Sequence, residues 1–301
     1  MQTNAQQPIP EIFAQTLQEF LASLDGKNRS NLTIQAYKTD VAQFVTYLGE
    51  NTLTTDHPAK VTRSDIHEYL SYLAGRGLSG ISRARKLAAI REYFRFLEAT
   101  EIISKVPLLG ITTPKKEKNI RSYLKRDEYG KILQLAGGNV RDFAILQVFL
   151  QTGIRVSELC ALQMEDIDLQ AGILKVTTGK GMAQREIQLE KKGIQALKNY
   201  VSLREQTLGT PTDLLFLNRY GQPISERGIR KLVVRYRQKA GIAKKITPHS
   251  LRHTFATYKA EHGVSPYQLQ QWLGHQSLNT TQIYVHLGKQ NAKKVMEQTS
   301  L

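Results

Sequence analysis

Cysteine is nearly absent from this chain: Cys160 is the single one in 301 residues. That excludes an internal disulfide and fits a reducing compartment. The thiol follows Leu159 in an apolar helical stretch, so it reads as a packing residue. Long apolar runs are missing too, with no stretch of about 18 apolar residues to span a bilayer. The opening MQTNAQQPIPEIF lacks the charged start and apolar core of a signal peptide. A cytoplasmic protein is expected. Acid is scarce, with 26 Asp and Glu against 42 Lys and Arg and a net charge of +16. A surface so basic concentrates and steers polyanions, and nucleic acid is the first candidate. What is present, 41% hydrophobic and 23% charged residues over this length, describes a globular chain able to build two cored domains.

The positive charge is unevenly placed. Residues 1–107 hold twelve basic against eleven acidic residues, 108–126 hold six against one, and 127–301 hold 24 against 14. Within the nearly neutral N-terminal part, Arg76, Arg83, Arg85, Lys86, Arg91 and Arg95 crowd one segment beside a single acid, Glu92. A local basic face is expected there, and Arg83, Arg85, Lys86 and Arg91 are candidate DNA contacts.

Apolar spacing of three and four residues runs from residue 10 to about 107, with no convincing strand alternation. The first stripe, Ile12, Phe13, Leu17, Phe20, Leu21 and Leu24, opens at Pro10 and closes at Asp25-Gly26. Tyr37, Val41, Phe44, Val45 and Leu48 form a second, ending near Gly49. Ile66, Tyr69, Leu70 and Leu73 form a third, started by Thr62 to Asp65 and stopped at Gly75. The fourth, about 79–98, is expected to bury Ile81, Leu87, Ile90, Phe94 and Leu97. These four helices predict an N-terminal bundle over 1–107. Residues 108–123 combine a glycine, a proline and a cationic run without helical period, and read as a basic linker. Its Lys115, Lys116 and Lys118 suit contacts along a DNA backbone.

The remainder, 124–301, is expected to be a second domain with helices at about 126–136, 138–152 and 155–163. The period then changes. Gly172 to Thr177 and Arg185 to Leu189 alternate around the turn Gly179-Lys180-Gly181, and Leu214 to Leu217 suggests another strand. Helical pattern returns after a cap at Ser225, with segments near 248–262, 266–273, 279–286 and 289–297. The fold class is mainly α with a small antiparallel sheet.

Arg155, Lys180, His249, Arg252, His275 and Tyr284 supply fixed positive charge, movable protons and one nucleophile. Together they suit cleavage of a phosphodiester without a metal. Such a reaction needs an in-line nucleophile, cations on the non-bridging oxygens and an acid for the departing oxygen. Arginine suits the clamp, because its planar fork pairs two oxygens and keeps its charge. His249 lies three residues before Arg252, so a helix there puts both on one face. Pro248 suits its first turn. Glu158, three residues beyond Arg155, is placed to hold that arginine.

The segments TGIRVSELCAL, TGKGMAQREIQL, TPHSLRHTFAT and LGHQSLNTTQIYVH, in that order, resemble the boxes of tyrosine recombinases, the phage-integrase family, and most closely the bacterial Xer-like recombinases. The resemblance covers about 124–290. It implies an N-terminal four-helix core-binding domain and a C-terminal α+β catalytic domain. It further implies that Arg155 and Arg252 stabilise the transition-state charge and that Lys180 protonates the departing 5′ oxygen. His249 would assist proton transfer, His275 would hydrogen-bond the phosphate, and Tyr284 would attack it to form a 3′-phosphotyrosyl link. His253 and His286 are left as supporting residues. No cofactor and no metal are implied. The partner would be double-stranded DNA with paired inverted-repeat core sites, bound by a homotetramer or with a related recombinase or accessory protein, in a bacterial cytoplasm. The tail after His286, with Lys289, Lys293, Lys294, Val295 and Met296, would pack on a neighbouring protomer. Three readings compete: a type IB-like topoisomerase, a non-catalytic DNA-binding relative, and a metal-dependent nuclease, for which HSLRH offers histidines four apart but no acid between them.

Overall fold

Each of the four N-terminal apolar stripes forms a helix in the computed structural model, which describes residues 10–27, 29–51, 56–114, 122–177, 184–207 and 212–274. They are α1 (Glu11–Gly26), α2 (Asn31–Asn51), α3 (Arg63–Gly75) and α4 (Gly80–Ala99). The chain divides into two compact units, Met1–Asn119 and Ile120–Leu301. Helix α3 starts where the sequence signals it. The Thr62 hydroxyl accepts from the Asp65 backbone N–H, and the Asp65 carboxylate accepts from the Thr62 N–H at 2.7 Å, satisfying donors that a helix end leaves open. The core of this unit is aromatic: Phe13, Phe20, Phe44, Tyr69, Tyr93 and Phe94 are each at most 2% exposed. Buried Tyr93 shares a 2.6 Å hydrogen bond with Thr16, so the hydroxyl brought into that core is satisfied. Ile81, expected inside, is 43% exposed. At about 100° per residue it lies on the face of α4 opposite Ile90, while its neighbours Gly80 and Ala84 are buried.

The beginning of the expected linker is packed. Leu108 and Ile111 are buried with the N-terminal core. The Gly110 carbonyl accepts from Arg63, and the Ile111 carbonyl accepts from Arg91 at 2.6 Å.

The second unit is built around α6 (Val140–Thr152), nearly all of whose face is inside: Ala144, Ile145, Leu146, Val148 and Phe149 show no exposure. Helices α5 (Arg126–Ala136), α8 (Lys191–Thr207) and α10 (Pro248–Glu261) pack on it, with α7 (Val156–Ala161), α9 (Glu226–Lys239) and α11 (Pro266–Leu273) around them. Helix α8 carries Ile194, Leu197, Tyr200, Val201 and Arg204 at helical spacing, a stripe the sequence reading passed over. Strands β1 (Ile167–Asp168), β2 (Ile173–Thr177) and β3 (Gln184–Gln188) form a three-stranded antiparallel sheet in the order β1-β2-β3. The expected strand at Leu214 to Leu217 is reduced to two isolated bridges, Gln163 with Leu214 and Leu217 with Pro223. Leu215, Phe216 and Leu217 are buried, but among the described residues no strand runs alongside to form a ladder.

Two of these details position the site. In β2 and β3, Leu174 pairs with Ile187 and Val176 with Arg185. Directly opposed residues share a face, so Arg185 lies on the side of the sheet where Leu174, Val176 and Ile187 are buried. The other detail is the close approach of α6, α10 and α11 at Gly153, which ends α6 in the left-handed conformation (φ 61°). A Cβ there would lie 2.5 Å from Phe255 Cδ1 and 2.9 Å from Leu273 Cδ2, so glycine is required on both counts.

Candidate active site

The turn after Gly153 delivers Arg155 to the N-cap position of α7, and Glu158 stands three residues on, inside its first turn. One Glu158 oxygen accepts from the Arg155 backbone N–H at 2.8 Å and the other from Arg155 Nη1 at 2.7 Å, as the spacing predicts. A third partner comes from far along the chain. Arg185 Nη2 reaches Glu158 Oε2 at 2.7 Å and its Nη1 reaches Oε1 at 3.1 Å, a two-pronged pair. The Glu158 side chain is 5% exposed and that of Arg185 9%. Burial alone would raise the Glu158 carboxyl. The Arg185 fork, the Arg155 N–H and the Arg155 guanidinium more than reverse this and hold it at about 2.

The same arginines converge on the end of α11. Arg185 Nε donates to the Trp272 carbonyl at 2.7 Å, Arg252 Nη2 to the Leu273 carbonyl at 2.6 Å, and Arg155 Nη2 to the Gly274 carbonyl at 2.8 Å. These are carbonyls that a helix C-terminus leaves without intrahelical partners, and cations there also meet the negative end of the helix dipole. Arg252, 5% exposed, further donates to the Gly153 carbonyl at 2.8 Å. Gly274 is left-handed (φ 61°), and a Cβ on it would meet Arg185 Nη1 at 3.0 Å and Arg155 Nη1 at 3.6 Å. The two arginines named from the sequence are thus fixed at adjacent carbonyls of one helix end, while the Arg155 side chain remains 36% exposed.

His249 is exposed in the first turn of α10, one turn before Arg252. Thr247 caps that turn by accepting from the Ser250 N–H, and Pro248 occupies its first position. His253 packs edge-on against Tyr123, with ring centroids 5.7 Å apart. Lys180, His275, Tyr284 and His286 lie outside the described residues, as do Lys115, Lys116 and Lys118. Burial raises the Cys160 thiol to about 11, consistent with packing in place of reactivity. Among the described residues, no group of three or more His, Cys, Asp and Glu side chains is placed to hold a metal ion, and no helix is long and apolar enough to cross a membrane.

The N-terminal basic face is smaller than its sequence suggests. Lys86 is 5% exposed, bonded to Asp40 at 2.9 Å and to Gln43. The expectation that it contacts DNA is therefore corrected: its charge is neutralised inside the bundle by a carboxylate 46 residues earlier. Arg85 also pairs with Asp40 but keeps a side chain 52% exposed. Arg91 is engaged with Ile111 and Thr113. Arg83 lines a cleft of about 690 Å³ together with Arg63, His67 and Ser71.

Arg185 is the site residue the sequence reading missed. Its signal was the alternation of Arg185, Ile187 and Leu189, which puts an arginine in line with residues that turn inward.

Comparison with known proteins agrees with this architecture. Residues 122–291 match the model of the phage integrase family, and residues 17–101 match the phage integrase N-terminal SAM-like domain. The chain belongs to the phage integrase family and is a tyrosine-type site-specific recombinase. Within that class it is similar to Xer proteins. It is 36% identical to tyrosine recombinase XerD of Listeria innocua serovar 6a, covering 90% of this chain and 93% of that one. It is also 36% identical to tyrosine recombinase XerC of Natranaerobius thermophilus, covering 93% and 96%. Among solved structures, the XerA recombinase is 32% identical with a TM-score of 0.55, over 95% of this chain and 99% of that chain. The XerH recombinase bound to difH substrate before cleavage is 25% identical with a TM-score of 0.73, over 97% and 90%.

Proposed function

We propose that this recombinase cuts and rejoins double-stranded DNA through a 3′-phosphotyrosyl intermediate. The observation that carries the reading is the convergence of Arg155 and Arg252 at the end of α11, one residue before His275 in the chain. Two guanidinium groups held by carbonyls on one side suit a phosphate on the other, because their charge and geometry are set before the substrate arrives. Tyr284 Oη attacks the phosphorus, the P–O5′ bond breaks, and the phenolic proton passes to His249. Lys180 gives its proton to the departing 5′ oxygen, and His275 hydrogen-bonds the phosphate. The phosphotyrosine ester keeps the energy of the broken bond, so a second 5′ hydroxyl reverses the step without ATP or metal.

Four protomers acting in pairs on two duplexes would exchange strands through a Holliday junction, each site an inverted repeat. The solved XerH complex, which carries difH substrate, supports DNA as the partner. The N-terminal unit would read the core site with Arg83 and Arg85, while Lys115, Lys116 and Lys118 would follow the backbone between units. A bacterial cytoplasm suits this role.

Covalent capture tests the proposal. The protein is incubated with fragmented DNA from its own source, denatured in SDS and recovered, and the attached DNA is sequenced. Fragments sharing one inverted-repeat site, and their loss with Tyr284→Phe, are expected. Tight binding without any attached DNA, from a pool known to contain the native locus, would replace this reading with a non-catalytic binder.

A further inference from the structure

Arg185 comes from a different element than the two arginines that the sequence marks for phosphate, yet it joins the same framework. Its Nη groups occupy one side of the Glu158 carboxylate, whose other contacts are the backbone and side chain of Arg155. Its Nε holds the Trp272 carbonyl, the first of three successive carbonyls at the end of α11. The other two are held by Arg252 and Arg155. Three guanidinium groups from three separate elements therefore share one helix end, and two of them, Arg155 and Arg185, also share one carboxylate.

The electrostatic consequence follows from counting charges. With Arg185 present, the buried Glu158 charge is balanced by a guanidinium that is itself buried. Arg155, the more exposed of the two, keeps its charge for an anion. Without Arg185, Glu158 would have Arg155 as its counterion among the described residues. A buried carboxylate with one partner draws that partner in to offset its own desolvation. The last turn of α11 would lose one of its three clamps at the same time.

We propose that Arg185 is a positioning residue for strand cleavage: through Glu158 and the Trp272 carbonyl it holds Arg155 and the end of α11, from which the chain passes to His275, in one fixed frame. The inference rests on the reading of Arg155 and Arg252 as the phosphate clamp.

The test uses the full chain and a synthetic duplex carrying the captured site, nicked so that the covalent complex is trapped. Arg185→Gln should form that complex about 10- to 100-fold more slowly, the range seen when groups that orient catalytic ligands are removed, with DNA affinity unchanged. Arg185→Lys should fall between, since one ammonium cannot bridge two carboxylate oxygens and a carbonyl. If Arg185→Gln does not fold, Arg185→Lys carries the test alone. A positioning role also requires that Arg185→Gln slow an Arg155→Gln protein much less than it slows the wild type. Wild-type cleavage rates in folded Arg185 variants, or full additivity with Arg155→Gln, or a loss matching the unfolded fraction, would each overturn the inference. Wild-type cleavage by Arg155→Gln itself would instead remove the phosphate-clamp reading, and this inference with it.

Discussion

Asp40 in the N-terminal unit and Glu158 in the C-terminal unit are both buried carboxylates that hold two cations, and the two clusters differ in how the outer cation is held. Around Asp40, the ammonium of Lys86 is enclosed and bound to Asp40 and Gln43, and Arg85 leans in from the surface. The result ties α2 to α4. Around Glu158, each cation has a second attachment on α11, and the outer one, Arg155, still faces outward. Both clusters neutralise a carboxylate and leave one cation at the surface, but among the described residues Arg85 is held by Asp40 alone, whereas Arg155 is fixed by a second bond to the Gly274 carbonyl. Positive charge counted along a chain is thus an upper bound on the charge available to a ligand, because some of it balances acids that the fold has buried.

The largest effect should come from removing the acid of the structural cluster. Asp40→Ala leaves Lys86 enclosed without its carboxylate and should cost about 3–5 kcal/mol in urea unfolding. Adding Lys86→Met should recover most of that, and neither change should slow cleavage by the folded fraction. A cleavage defect that persists in the folded double variant would break the distinction between the clusters.

A somewhat smaller effect is expected from pH at the other carboxylate. Glu158 is held at about 2 against an ordinary 4.5. Its folded-state value lies below its unfolded one, so its contribution is complete above 4.5 and is lost as pH falls towards 2. The free energy involved is about 3 kcal/mol. Glu158→Gln should flatten the loss of unfolding free energy over that window. Parallel acid profiles for the two proteins would show that the arginines do not depress this carboxyl.

The smallest concerns the surface left over. With Lys86 enclosed, Arg83 stands as the test of whether α4 reads bases. Arg83→Ala should weaken binding to the captured site by about 1–3 kcal/mol and binding to unrelated duplexes much less. Equal losses on all sequences would make it a backbone contact.

Much of the helical architecture was legible from local signals. Thr62 with Asp65, Pro248 behind Thr247, and the apolar stripes of α1 to α4 act over distances of three or four residues, where geometry follows directly from the helix period. Glu158 as the holder of Arg155 was legible for the same reason. Reading failed where a neighbour came from elsewhere. Lys86 looked like a surface cation because Asp40 is 46 residues away in sequence. Leu214 to Leu217 looked like a strand because a short apolar run reports burial, whereas a ladder needs a partner strand. Helix α8 was missed although Ile194, Leu197, Tyr200 and Val201 carry its period, and that omission was one of reading, not of information.

By itself the sequence determined the two-part helical organisation, the excess of positive charge, and the residue types and order of the boxes that mark a tyrosine recombinase. These depend on composition and on spacing within a few residues. Only the tertiary structure decided which cations are left for a ligand. Arg185 meets Glu158 across 27 residues and Trp272 across 87, and Arg252 meets Gly153 across 99. Contacts of that range are set by how β3, α7, α10 and α11 pack, and no local pattern in the chain encodes the distance between them.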